Sequence, residues 1–302
     1  MGISLGPNQY GKAEVRLVTV RRDGPVHHLR DLTVSTALRG DLAATHLAGD
    51  NSAVLTTDAQ KNTVYAFAKQ QDVGEIEDFA LRLGRHFVAT QEAITGARVT
   101  VAEHAWERIP VEGRPHDHAF SRSGGESRTT TVTVHAGRAW VVSGVDGLTV
   151  LKSGGSEFHG FPRDEYTTLA ETDDRILATA VTARWRYDGD PADTDGPGVA
   201  WTKNHQEIRR TLLQAFATKH SLSLQQTLYT MGEAVLLARP EVAEVRLSLP
   251  NKHHFLVDLS PFGLENSGEV FYAADRPYGL IEGTAVRDEA EEPGPAWTDA
   301  VL

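Results

Sequence analysis

The chain contains no cysteine. That removes disulfides, thiolate nucleophiles, iron–sulfur clusters and thiolate zinc sites together, and it fits a reducing compartment. Long apolar runs are missing too. None approaches the ~18 residues a membrane helix needs, so no membrane partner is expected. The opening residues, MGISLGPNQYGK, carry neither a basic lead nor an apolar stretch, so no secretory signal is expected. Positive charge is the minority, with 30 Lys and Arg against 41 Asp and Glu. Basic residues adjoin only as short pairs such as Arg21-Arg22 and Arg209-Arg210, not as the basic face of a nucleic-acid binder. Phosphate-cradling glycine loops, a GxSxG elbow and an HExxH pair are all absent. Thirteen histidines remain. His27-His28 and His253-His254 are adjacent pairs, and strand neighbours point to opposite faces. His116-Asp117-His118 lies in a polar stretch. No metal and no cofactor is expected.

What is present is ordinary globular composition: 302 residues, 40% hydrophobic and 24% charged. That allows two domains or one large one. Residues 13–20 and 26–36 alternate as strands joined through Asp23-Gly24-Pro25. Two helices follow. One spans 59–71, with Thr57 or Asp58 as N-cap. The other spans 75–94, with Ile76, Phe79, Ala80, Leu83, Phe87 and Ile94 largely on one stripe and Gly96 closing it. Strands return at 97–109 and 129–144, around a polar stretch (112–128) that reads as a loop or mobile hairpin tip. The second half repeats the order: strands 147–155 and 176–187, loop 188–198, helices 199–220 and 224–240, strands 244–249 and 254–259. The acidic tail 288–301 reads as mobile.

Ala66-Phe67-Ala68 recurs as Ala215-Phe216-Ala217, and His104 recurs as His253 at the same displacement. With the element order, this points to tandem duplication of a ββααββ unit. Each unit is expected to be an antiparallel sheet with two helices on one face. The domains are 1–140 and 141–302. A sheet of this kind removes its free edges by closing into a barrel with neighbouring subunits.

Four segments stand apart: YGK (10–12), LTTDAQKNT (55–63), EFHGFPRDEYTTLAETDDR (157–175) and LPNKHH (249–254). The third puts Phe, Arg, Tyr and Thr into what should be a plain connection, and such loops bind ligands. It suits a flat aromatic ligand, with Phe158 or Phe161 stacking and Arg175 pairing with a polar edge.

In these segments the chain resembles urate oxidase (uricase), from Tyr10 to about residue 284. FHGFPRDEYTTL matches the family pattern F-x-G-F-x-R-D-E-Y-T-T-L, LPNKH matches L-P-N-x-H, and TDAQKNT matches T-D-x-x-K-N-T. The resemblance implies two tandem T-fold (tunnelling-fold) domains in an α+β fold. It also implies a cofactor-free oxidation of urate by molecular oxygen and water to 5-hydroxyisourate and hydrogen peroxide. By motif, the family's proton-handling set falls on Lys12, Thr57 and His253. Substrate contacts fall on Thr57, Asp58, Phe158, Leu169, Arg175, Leu224, Gln225 and Asn251, with Gln226 the alternative register for Gln225. Asn251 and Thr57 would hold oxygen or water above the ring. A lysine serves as base only where burial or neighbours lower its pKa, and a threonine hydroxyl can pass a proton.

The resemblance further implies a homotetramer. Lys12, Thr57 and Asp58 would come from one subunit and the remaining groups from its neighbour. Two departures stand out. The chain ends Ala300-Val301-Leu302, unlike an S-K-L peroxisomal address, so a cytoplasmic location is expected. His159 replaces an aromatic found in some relatives. The rival readings are another T-fold enzyme acting on a pterin or purine, and a non-catalytic purine binder.

Overall fold

Strand β1 (Tyr10–Arg21) pairs antiparallel with β2 (His28–Gly40), Lys12 facing Thr36 and Leu17 facing Leu32. A computed structural model describes residues 2–190, 199–274 and 276–297. After β2 come a short helix α1 (Ala43–Ala48), then α2 (Thr57–Gln70) and α3 (Ile76–Thr90). Strands β3 (Ile94–Val111), β4 (Arg114–His135), β5 (Arg138–Lys152) and β6 (Leu177–Tyr187) follow. Then come α4 (Trp201–Thr218), α5 (Leu224–Ala238), β7 (Val242–Asn251), β8 (His254–Leu256), β9 (Phe271–Ala273) and β10 (Gly279–Val286). This is an α+β fold of antiparallel sheet and helices. No helix among the described residues is long and apolar enough to cross a membrane.

Compactness divides the chain otherwise than the tandem split at residue 140. One unit holds Met1–Gly144, Trp185–His205 and Glu289–Leu302, the other Val145–Arg184 and Gln206–Asp288. Strands β5 and β6 therefore pass from one unit into the other.

In the first unit the strand order is β1-β2-β3-β4-β5. Leu32, Val34 and Leu38 of β2, Val99 and Val101 of β3, Val132 of β4, Val64 of α2 and Phe79, Leu83 and Phe87 of α3 are fully buried. The stripe of α3 is thus the one its spacing predicts. The helix ends earlier than its sequence suggests, at Thr90, and Gly96 lies inside β3. The β-branched run from Ile94 is claimed by the ladder with β2, where Gly96 faces Arg39.

Of its two readings, the polar stretch 112–128 is a hairpin tip and its outer arm rather than a loop. Beyond its first two residues it is strand, paired with β3 out to Val111 opposite Arg114. The hairpin turns at Glu112 (φ 50°) and Gly113 (φ 78°), the left-handed pair of a tight two-residue turn. Its arms need no core, because ladder bonds and guanidinium–ring contacts hold them: Arg108 over Phe120 and Arg122 over Trp106.

The tail is docked rather than mobile over its described part. Arg98 donates to the Ala296 carbonyl at 2.7 Å, Arg186 donates to the Glu291 carbonyl, Arg138 pairs with Glu291, and Ala296 is buried. Residues 298–302, like 191–198 of the 188–198 connection, lie outside the described residues.

In the second unit β7 pairs with β10, Asn251 facing Gly279. The strand expected at 254–259 is only the short β8, and it pairs with β9 instead. Sequence patterning misses β10 because its inward positions are Ile281, Gly283 and Ala285 while Leu280 and Val286 face outward. Leu228, Met231 and Val235 of α5 pack in a core with Val245, Leu247 and Leu249. The short repeat does not fall on one face: Ala68 is the buried residue of its triplet in α2, whereas Ala215 and Phe216 are buried in α4.

Candidate active site

The motif residues gather in two groups, one in each compact unit. In the first, Lys12 lies half-buried near the start of β1. Gly11 before it is required sterically, since a Cβ there would lie 1.8 Å from the Thr36 carbonyl oxygen. Just after Lys12 the register with β2 shifts, and Glu14 adopts φ 56°. A bulge of this kind re-aims side chains near a site.

Thr57 and Asp58 open α2. The cap is neither of them. Thr56 accepts the Ala59 N–H on its hydroxyl at 3.1 Å and the Gln60 N–H on its carbonyl at 3.1 Å. That leaves the exposed Thr57 hydroxyl outside the cap, and the first N–H groups of a helix have no partner within it. The Asp58 carboxylate is tethered by its own helix, accepting from Lys61 Nζ at 2.5 Å and Asn62 Nδ2 at 2.9 Å. Its pKa is lowered, by Lys61 first, with Lys12 also contributing through space. Lys61 and Asn62 escaped notice as functional residues. Their spacing three and four after Asp58 on a helix is the signal that finds them.

The second group is built around an irregular loop. Phe158 and Thr172 exchange backbone hydrogen bonds (2.9 and 3.2 Å), and the Arg175 N–H donates to the Ser156 carbonyl at 2.7 Å. The Asp174 carboxylate accepts the N–H groups of Ser156 and Arg175. The Glu157 N–H reaches the Ser221 carbonyl and the Ser221 N–H the Gly155 carbonyl, which ties the loop to the residues before α5. Phe158, Arg175, Leu224 and Gln225 are thereby held by one framework. The Arg175 guanidinium carbon lies 5.1 Å over the Phe158 ring, and its buried Nε has no hydrogen-bond partner among the described residues. Burial lowers the Arg175 pKa, yet a guanidinium keeps its charge. Leu169 is exposed in the same loop.

At α5, Ser223 caps the helix by accepting the Gln226 N–H at 3.1 Å, and the Gln226 side chain accepts the Leu222 N–H at 2.9 Å. This reciprocal cap resembles a capping box. It occupies Gln226 and leaves the exposed Gln225 amide outside the cap. Leu224 turns its side chain into the core, so its N–H is the group it offers. Asn251 ends β7, half-buried. His253, also half-buried, stacks on Phe255 with ring centroids 5.8 Å apart. Burial holds its imidazole below the ordinary value, and the Arg175 and His254 charges add to this. Each of these effects favours the neutral ring, the form able to accept a proton. His159 contacts Asp173 at 3.0 Å, beside Phe158 in sequence. No group of three His, Asp or Glu among the described residues is placed to hold a metal ion.

A sequence model of the Uricase family matches residues 8–133 and 141–282. The chain belongs to the uricase family. It is 54% identical to the uricase of Arthrobacter globiformis over 297 residues, covering 98% of this chain and 94% of that protein. It is 39% identical to the uricase of Dictyostelium discoideum, covering 95% and 99%. The crystal structure of the Arthrobacter globiformis uricase superposes with a TM-score of 0.92 at 53% identity, over 99% of this chain and 100% of that one. The T-fold architecture expected from the motifs is thus the family's own. Arg175 and Gln225 fall within the second matched stretch, and Lys12, Thr57 and Asp58 within the first.

Proposed function

We propose that this chain acts as its family does. It is an oxidoreductase of the urate oxidase type, oxidising urate with molecular oxygen and water to 5-hydroxyisourate and hydrogen peroxide in purine degradation. Urate gives up two electrons to oxygen and gains a hydroxyl from water, and the work asked of the protein is binding and proton handling. In this reading no metal or flavin takes part. The observation that carries it, with family membership, is the Arg175 Nε. It is a buried donor without a partner among the described residues, over an aromatic face, and its charge is felt by the His253 imidazole. A buried donor left unpaired is costly, and a purine edge would satisfy it.

Phe158 stacks on the purine, and Arg175 and Gln225 grip its edges. Leu224 and Asp58 give backbone N–H groups from helix starts, where anions are favoured. Leu169 lines the pocket. Asn251 and Thr57 hold oxygen or water over the ring, and Lys12, Thr57 and His253 relay protons. The sites form where subunits of a homotetramer meet, and closure of the sheets into barrels completes them. The tandem division at residue 140 and a cytoplasmic location belong to the same proposal. Cell fractionation tests the latter.

Loss of the urate ultraviolet band, with stoichiometric peroxide, after dialysis against chelator tests the reaction. No loss rejects it, and dependence on added metal rejects its cofactor-free part. Shared sites predict that Lys12→Met and His253→Ala subunits, each inactive alone, regain activity when co-assembled.

A further inference from the structure

Two polar side chains interrupt apolar rows in the first unit, and they meet. On β2 the buried row Leu32, Val34, Leu38 includes Thr36, 4% exposed, and on α2 the row Val64, Ala68 includes Gln60, 0% exposed. An amide buried there is costly unless every polar group is matched, and an apolar residue would fill the space. The groups are matched in one direction only. The Leu55 carbonyl can only accept, so the Gln60 amide nitrogen faces it, at 3.3 Å. The Gln60 oxygen then faces Thr36, whose hydroxyl donates at 2.7 Å. The Thr36 oxygen in turn accepts the backbone N–H of Lys12 at 3.3 Å. The chain of bonds runs from Lys12, beside the bulge of β1, to Leu55, two residues before Thr57.

We propose that Gln60 is a positioning residue, which with Thr36 fixes the strand carrying Lys12 against the loop delivering Thr57. The inference rests on the reading of Lys12 and Thr57 as proton-handling groups. A one-ångström error in such a pair is costly in turnover and cheap in binding.

The test uses the full-length protein, with sites counted by anaerobic urate binding. Gln60→Met keeps length and removes both hydrogen bonds. Its kcat per site is expected to fall about 10- to 100-fold, with KM within about twofold. Thr36→Val should behave alike, and Thr36→Ser, which restores the hydroxyl, should recover most of the turnover. In a Lys12→Met background Gln60→Met should cost far less than it does alone, because it acts mainly through the Lys12–Thr57 pair. An unchanged kcat per site in Gln60→Met and Thr36→Val, or a full additional loss in the Lys12→Met background, overturns the inference. Lys12→Met alone tests the underlying reading. If it is crippled while Gln60→Met is not, only the positioning role falls. Should Gln60→Met not fold, the Thr36→Val and Thr36→Ser pair decides.

Discussion

Phe161 lies stacked on Phe158, ring centroids 5.0 Å apart and planes inclined by 16°. Arg163 covers the Phe161 ring at 5.4 Å and Arg175 the Phe158 ring at 5.1 Å. The ring proposed to stack on the purine is therefore backed by a second aromatic. Phe161→Ala should raise KM for urate about 2- to 12-fold, the worth of an aromatic pair, with kcat nearly unchanged. Steady-state kinetics check this, and an equal fall in kcat would contradict a backing role.

If His253 relays protons as proposed, its imidazole, held low by burial and then by Arg175 and His254, should give activity an acid limb. As pH falls through that lowered value the ring takes up a proton and loses its acceptor, so turnover declines, with a midpoint below the ordinary imidazole value. Removing the Arg175 charge favours the protonated ring. Arg175→Gln should thus move the His253 titration to higher pH, measured by NMR on the ring protons.

Gln225 and Gln226 should separate cleanly. On the proposed roles Gln225→Ala removes the amide that grips the purine, and kcat/KM should fall about 10- to 100-fold, the cost of leaving a buried polar edge unpaired. Gln226→Ala removes a cap contact, so its effect should appear in unfolding, at about 0.5–1 kcal/mol, with kcat/KM within about threefold. Urea titration and kinetics on both variants test the pair.

Arg128 donates to Glu77 at 2.7 Å and to Glu75 at 2.9 Å, and Ser143 donates to Glu77 at 2.7 Å. Arg128→Met leaves the Glu77 carboxylate buried without its cation, at a cost of about 3–5 kcal/mol. Glu77→Gln in the same background should recover part of it. Thermal unfolding reports both.

How far these features could be read beforehand varied with their physics. The α3 stripe was legible because burial there follows helical spacing. The β10 strand was not, since its inward positions are Ile281, Gly283 and Ala285 while Leu280 and Val286 face outward, so the sequence shows no apolar alternation. The β4 arm read as loop because Gly, Ser and charge cannot form a core, but a hairpin held by its ladder and by Arg108 and Arg122 needs none. Thr57 and Asp58 were located through their motif, yet the cap fell to Thr56, because two neighbouring threonines are indistinguishable until the backbone enters the helix. Gln60 stood inside a quoted motif without a role. Its meaning depends on Thr36, 24 residues away in sequence, and a single sequence does not display that pairing.

The segment at 289–297 has a consequence for synthesis. Gly294 packs against Trp140, and Arg98 of β3 waits for the Ala296 carbonyl. The first unit is thus begun by strands β1 to β4 and completed by residues near 296, made well over a hundred residues later. Until those emerge the Trp140 surface stays uncovered. The nascent chain should be most vulnerable to aggregation in the interval after β5 has emerged and before residues 289–297 have.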